Sequence, residues 1–172
     1  GEGGIICTND DKLFKRITLL RNQGRENSGT FIHKEIGMNF RITDMQGALL
    51  NIQLERLEDI QKQRSNTYRI YKDIFLGMSI KTMELNQRSN FTPFRFTVLT
   101  KDPELAINAL KEARIQPRRF FYPMHLQPAL NKYNLDTCPN SKYLYDHGIC
   151  LPIHRDISEE DILKIANVFK II

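Results

Sequence analysis

Apolar positions change their period along this chain. Ile5-Ile6-Cys7-Thr8 is a short apolar run after two glycines and predicts a buried strand. Leu13, Phe14, Ile17 and Leu20 then fall at helical spacing, with Asn9 or Asp10 as cap and Gly24 as the C′ stop. Residues 24 to 36 are polar and rich in glycine, and predict an exposed loop. The strongest helix signal follows. Thr43 and Gln46 can cap each other's backbone N–H groups, and Leu49, Leu50, Leu54, Leu57 and Ile60 form a stripe behind them. The same period runs on through Tyr68, Tyr71 and Ile74 to Phe75, with Gly77 as its end, so one long helix linking two domains is expected.

From residue 78 the period shortens. Phe94, Phe96 and Val98 alternate with Arg95, Thr97 and Leu99, the mark of a strand with one buried face. Asp102-Pro103 places a cap before a proline and opens a helix through Ala113. Residues 117 to 128 carry Pro117, Pro123 and Pro128 with Phe120, Phe121 and Tyr122, and predict an ordered loop. A short helix near 141–147, a strand at 149–151 and a last helix capped by Ser158 complete the chain, with Ile157 and Ile162 placed as a hydrophobic staple. Strand, helix, strand, helix is the order of a small α/β or α+β domain.

Composition narrows the partners. The net charge is +5, but lysine and arginine are spread along the chain, so nucleic acid is not the expected partner; phosphorylated small molecules suit such a surface. No apolar run approaches the roughly 20 residues needed to cross a bilayer. Cys7, Cys138 and Cys150 are odd in number and unpaired in spacing, which fits a reducing compartment. His147, Cys150 and Cys138 follow no standard zinc spacing, so no metal is expected. The chain opens on Gly1-Glu2-Gly3 without a methionine, which suggests a piece of a longer protein.

Four segments then carry a resemblance. Gly1-Glu2-Gly3-Gly4 with Thr8-Asn9-Asp10 is the first. The second is Leu20-Arg21-Asn22, Gly24-Arg25, His33 and the block Ile36-Gly37-Met38-Asn39-Phe40-Arg41-Ile42-Thr43-Asp44-Met45-Gln46. Arg119-Phe120-Phe121-Tyr122-Pro123-Met124-His125 and the tail Cys150-Leu151-Pro152 with Ile157 to Asp161 complete the set. In this order they resemble the C-terminal portion of the DegT/DnrJ/StrS-type sugar aminotransferases, and the aromatic loop resembles the perosamine-synthase branch.

The resemblance implies an α/β fold, the C-terminal portion of a fold-type-I enzyme that uses pyridoxal 5′-phosphate (PLP). Residues 1–50 would be a remnant of the large cofactor-binding domain. Residues 51–172 would be the linking helix and the small domain. It also implies that the lysine holding the cofactor covalently lies a few residues before Gly1. Lys12, Lys15 and Lys34 all follow that segment and match no such position, so this chain alone is expected to be inactive.

Individual residues inherit expectations. Asn39 would reach the cofactor phosphate of the neighbouring subunit; a loop asparagine bonding its own backbone is the bland alternative. Arg41 would present a guanidinium to the same or a sugar-nucleotide phosphate, and a cation near a helix N-terminus is otherwise misplaced. His33, Tyr122 and His125 would face the substrate sugar, each with a plain structural alternative. Arg118 matches an arginine before the aromatic loop, although Pro117 and Arg119 depart from the family pattern. The parent is thus expected to be a cytoplasmic homodimer that moves an amino group from glutamate to a nucleotide-linked 4-keto-6-deoxy sugar. A C3 aminotransferase on a dTDP-sugar and a non-catalytic binding or regulatory module are the alternatives.

Overall fold

The computed structural model describes residues 2–27, 29–83, 91–133 and 136–171. The chain divides into two units, Gly1–Leu57 and Glu58–Ile172. Among the described residues, no helix is long and apolar enough to cross a membrane.

The second unit holds the hydrophobic core. Strands β1 (Lys81–Thr82), β2 (Phe96–Leu99), β3 (Arg118–Arg119) and β4 (Gly148–Leu151) form one antiparallel sheet in the order β1-β2-β4-β3. Phe96 pairs with Leu151, and Val98 with Ile149, so these four side chains share one face. Helices α3 (Leu57–Leu76), α4 (Pro103–Glu112) and α6 (Glu159–Phe169) supply the rest of the core through Tyr71, Phe75, Leu110, Ile162 and Phe169. Phe96 is the centre of an aromatic cluster. Its ring stacks on Tyr71 at 4.6 Å and meets Tyr68 and Phe75 at 5.1 and 5.6 Å. Burial pushes the Tyr71 hydroxyl well above the ordinary tyrosine range, with the charge of Asp161 adding to it. That hydroxyl donates to Pro152 O at 2.8 Å and the Tyr68 hydroxyl to Met83 O at 3.3 Å, which satisfies both polar atoms brought into the cluster.

The caps work as their residue types require. Asp102 accepts from Leu105 N at 3.0 Å ahead of Pro103. Ser158 and Asp161 cap each other, and Ile157 packs against the core beneath them. Helix α5 (Pro139–His147) ends against β4 at Gly148.

Four expectations need correction. The 44–76 helix is not continuous: α2 (Asp44–Glu55) stops at Arg56 (φ −100°, ψ 3°) and α3 begins at Leu57. β2 is covered on both faces, because Thr97 is buried beside Cys150 as well as Phe96 and Val98. The aromatic segment is not all loop, since Arg118 and Arg119 pair with Cys150 and Ile149. Residues 5–8 form no strand; Ile5 is 72% exposed, and a strand needs a partner for its N–H and C=O groups.

The first unit has no buried hydrophobic side chain among its described residues. Helix α1 (Asp11–Arg21), capped by Asp10, and α2 both lack buried residues. The leucine stripe of α2 is present, but Leu49 and Leu54 stay exposed. What organises this unit is backbone hydrogen bonding.

Candidate functional site

The end of α1 sets the geometry around Asn39. The last carbonyls of a helix have no partner within it. Here Gly24 N–H returns to Leu19 O at 2.8 Å, the long bond of a Schellman motif. Its usual companion, from Gln23 N–H to Leu20 O, is opened to admit Met38. Met38 N–H donates to Leu20 O at 2.9 Å, and Met38 O accepts from Gln23 N–H at 3.1 Å. One residue further on, Phe40 N–H donates to Arg21 O at 3.1 Å. The backbone is therefore pinned on both sides of Asn39, which forms an isolated antiparallel bridge with Asn22.

Two glycines make this crossing possible. Gly24 has φ +77°, and a Cβ there would collide with the carbonyl of Glu35. A Cβ on Gly37 would lie 2.6 Å from Leu20 O and 2.8 Å from Gln23 C. The C′ position itself belongs to Gln23 (φ 62°), with Gly24 one residue later than the sequence pattern placed it.

Asn39 and Arg41 are brought together. Arg41 Nε donates to Asn39 Oδ1 at 3.1 Å. The amide is thereby oriented with its NH2 free: among the described residues, Nδ2 has no hydrogen-bond partner. Both side chains are exposed and stand just before α2. There Thr43 caps Gln46 N and Gln46 Oε1 caps Thr43 N at 2.9 Å. That box leaves the N–H groups of Asp44 and Met45 without partners among the described residues. An amide donor, a guanidinium and free helix N–H groups are the donor set of an anion site, and they fit a phosphate.

His33 joins the same unit through Gln23. Its Nδ1 lies 2.7 Å from Gln23 O. Arg25 lies nearby in the chain and is only 6% exposed, with Nη2 donating to Gln23 Oε1 at 2.9 Å. The sequence pattern assigned neither Gln23 nor Arg25 a role, and placed Gln23 at the end of the first helix and Arg25 at the start of an exposed loop. Arg25 does lie in the block that carries the family resemblance, which was the available signal. A cleft of about 480 Å³ lined by Lys12, Lys15, Arg16 and Arg25 also lies on this unit, and none of His33, Asn39 and Arg41 lines it.

Arg118, Tyr122 and His125 lie on the other unit. Arg118 is exposed on edge strand β3. Tyr122 is half-exposed, with its ring edge-on to Tyr145 of α5 at 5.0 Å. The guanidinium of Arg119 sits over the same Tyr145 ring at 5.1 Å. His125 is half-buried in a single 3-10 turn, Met124–Leu126, behind the buried Pro123. Among the described residues, no hydrogen bond joins Arg118, Tyr122 and His125 to one another. The loop's second aromatic is held by Arg95, whose guanidinium lies over the rings of Phe94 at 5.0 Å and Phe121 at 4.7 Å. The strand periodicity showed Arg95 only as a polar alternate, so this contact was not visible in it.

The chain is similar to known proteins along its whole length. The model of the DegT/DnrJ/EryC1/StrS aminotransferase family matches residues 1–170. GDP-perosamine synthase of Vibrio cholerae is 28% identical over an alignment of 179 positions that covers 99% of this chain and 48% of that protein. A DegT DnrJ EryC1 StrS aminotransferase from Brucella abortus superposes with a TM-score of 0.83 at 25% identity, covering 95% of this chain and 44% of that one. The Spr1654 protein of Streptococcus pneumoniae, 20% identical with a TM-score of 0.82, shares the fold and has been captured in PLP and PMP forms. The chain spans about half the length of the curated relatives it matches, and the match is to their C-terminal half. With its mixed α/β architecture and its family match running from end to end, the chain belongs to the DegT/DnrJ/EryC1/StrS aminotransferase family.

Proposed function

We propose that this chain is the C-terminal half of a PLP-dependent aminotransferase acting on a nucleotide-linked 4-keto-6-deoxy sugar, with glutamate as amino donor. The observation that carries the reading is the Asn39–Arg41 pair, held by its own 3.1 Å hydrogen bond in front of the free N–H groups of α2. These donors suit the cofactor phosphate of a neighbouring subunit, so the working form is a homodimer with each site shared. When bound, PLP supplies the electron sink for amino transfer. The residues of this chain hold and orient. Asn39 and Arg41 grip phosphate and His33 meets the sugar; on the second unit, Tyr122, His125 and Arg118 are the residues proposed for sugar contact. The lysine that tethers the cofactor is assigned to the part of the relatives that this chain does not span.

The likeness to GDP-perosamine synthase supports amination at C4 of a GDP-sugar. The test is an amino-transfer assay of the full-length parent with 4-keto and 3-keto nucleotide sugars and glutamate. Transfer to the 4-keto sugar is expected. Transfer only to the 3-keto sugar would replace the C4 assignment, and transfer to neither would defeat the reading.

A further inference from the structure

Gln23 is in the left-handed region at φ 62°, a conformation that few residues other than glycine adopt. Its carbonyl faces His33 Nδ1 at 2.7 Å. A carbonyl carries no proton, so the ring nitrogen must be the donor. A neutral imidazole has one N–H, and here that N–H is on Nδ1. The lone pair is left on Nε2.

Both sides of this bond are tied down. Gln23 N–H donates to Met38 O at 3.1 Å, and Gln23 Oε1 accepts from Arg25 at 2.9 Å. Lys34, the residue after His33, donates its N–H to Gly24 O at 2.9 Å. The two backbone bonds keep the Gln23 carbonyl and the His33 backbone in place, and the 2.7 Å bond itself orients the imidazole. His33 is otherwise exposed, so Nε2 is open to a ligand.

We propose that Gln23 is a positioning residue that locks neutral His33 as the Nδ1–H tautomer, so that Nε2 accepts a hydrogen bond from a sugar hydroxyl. The sugar half of this statement rests on the proposed function; the tautomer half does not. A neutral ring held this way can take a hydroxyl or ammonium donor. It cannot donate to a phosphate or a keto oxygen, so it selects for the hydroxyl-bearing side of the substrate.

The tautomer is read directly by long-range 1H–15N correlation spectra of protein labelled with 15N at histidine, at a pH where the ring is neutral. The His33 signal is assigned as the one lost in His33→Asn. A protonated-type Nδ1 and a lone-pair-type Nε2 are expected for His33. The reverse pattern overturns the proposal. Gln23→Gly keeps both the left-handed backbone and the carbonyl, and should keep the lock. Gln23→Val, whose branched side chain disfavours that backbone, should release it. If Gln23→Val does not fold, the unmodified protein and Gln23→Gly still decide the matter.

The sugar half is read from kinetics of the full-length parent. Asn at position 33 can still donate to Gln23 O but offers no outward lone pair in the place of Nε2. A rise of about fivefold in KM for the keto-sugar, with kcat nearly unchanged, is expected from one lost hydrogen bond. An unchanged KM overturns the acceptor role. A parent that aminates no keto-sugar defeats the functional reading and the sugar half together, while the spectra alone judge the tautomer.

Discussion

Arg41 Nε and Asn39 Oδ1 lie 3.1 Å apart, and this one contact decides which end of the asparagine amide faces outward. With Oδ1 taken, Nδ2 is the group left to meet a ligand, so the pair is built to donate. Asn39→Ala in the full-length parent is expected to weaken PLP binding by about 2 kcal/mol, the range for a hydrogen bond to a charged group. Asn39→Asp should weaken it further, because it sets a carboxylate against the phosphate. Arg41→Gln should also weaken it, because it removes a guanidinium from the phosphate together with the hydrogen bond that orients the amide. Titration of the cofactor by absorbance measures all three, and a wild-type dissociation constant for Asn39→Ala would remove Asn39 from the phosphate site.

Gly37 lies close against the end of α1. A methyl group there meets backbone atoms of Leu20, Gln23 and Gly24, which cannot rotate aside as a flexible side chain would. Gly37→Ala should therefore lift the segment off the helix and break the bonds made by the Met38 and Phe40 amides. The expected cost is about 1–3 kcal/mol locally. Hydrogen exchange of these two amides is the measurement, and unchanged protection would contradict the crossing described above.

Much of the second unit was legible because its signals are local and agree with each other. The Asp102–Pro103 and Ser158–Asp161 caps, and the alternation of Phe96 and Val98, each name an element without help from distant residues, as the Thr43–Gln46 cap does in the first unit. Arg56 shows where that logic stops. No proline or glycine marks the break between α2 and α3, and the leucine period runs straight across it. Ile5 and Ile6 fail for another reason: apolar residues predict burial only where a partner surface exists. Around the candidate site, the block from Gly37 to Gln46 was readable through its resemblance. The Gln23–His33 bond was not, since it joins a left-handed glutamine to a residue ten positions away, and neither propensity nor period encodes that.

The exposed apolar groups of the first unit have a measurable consequence. Ile36 is 95% exposed, and Phe40, Met45 and Leu49 are also open to solvent. A protein rarely leaves so many large apolar side chains uncovered without an interaction surface. The 172-residue chain is expected to self-associate with rising concentration. Met45→Lys and Leu49→Lys keep good helix formers in α2, so they should reduce association without unfolding the helix. Sedimentation velocity over a concentration series tests this. A monomer throughout would mean that the open face does not drive association.

Asp161 makes the last helix sensitive to acid. Ser158 Oγ donates to its carboxylate at 2.6 Å, and Ser158 N–H does so at 3.0 Å. These bonds, the hydroxyl's first, hold the carboxyl below the ordinary aspartate range, with the nearby charges of Lys164 and His154 acting in the same direction. A carboxyl whose value is lower in the folded state than in the unfolded chain binds its proton more readily when unfolded. Its contribution is therefore complete above the unfolded aspartate value, about 4, and fades as the pH drops through the lower folded value. Asp161→Asn removes that titration while keeping a side-chain oxygen that can accept from Ser158. Thermal melts across this acid range should show the variant losing less stability than the wild type as the pH drops. Parallel losses in the two proteins would mean that the Ser158–Asp161 pair does not set the acid response of α6.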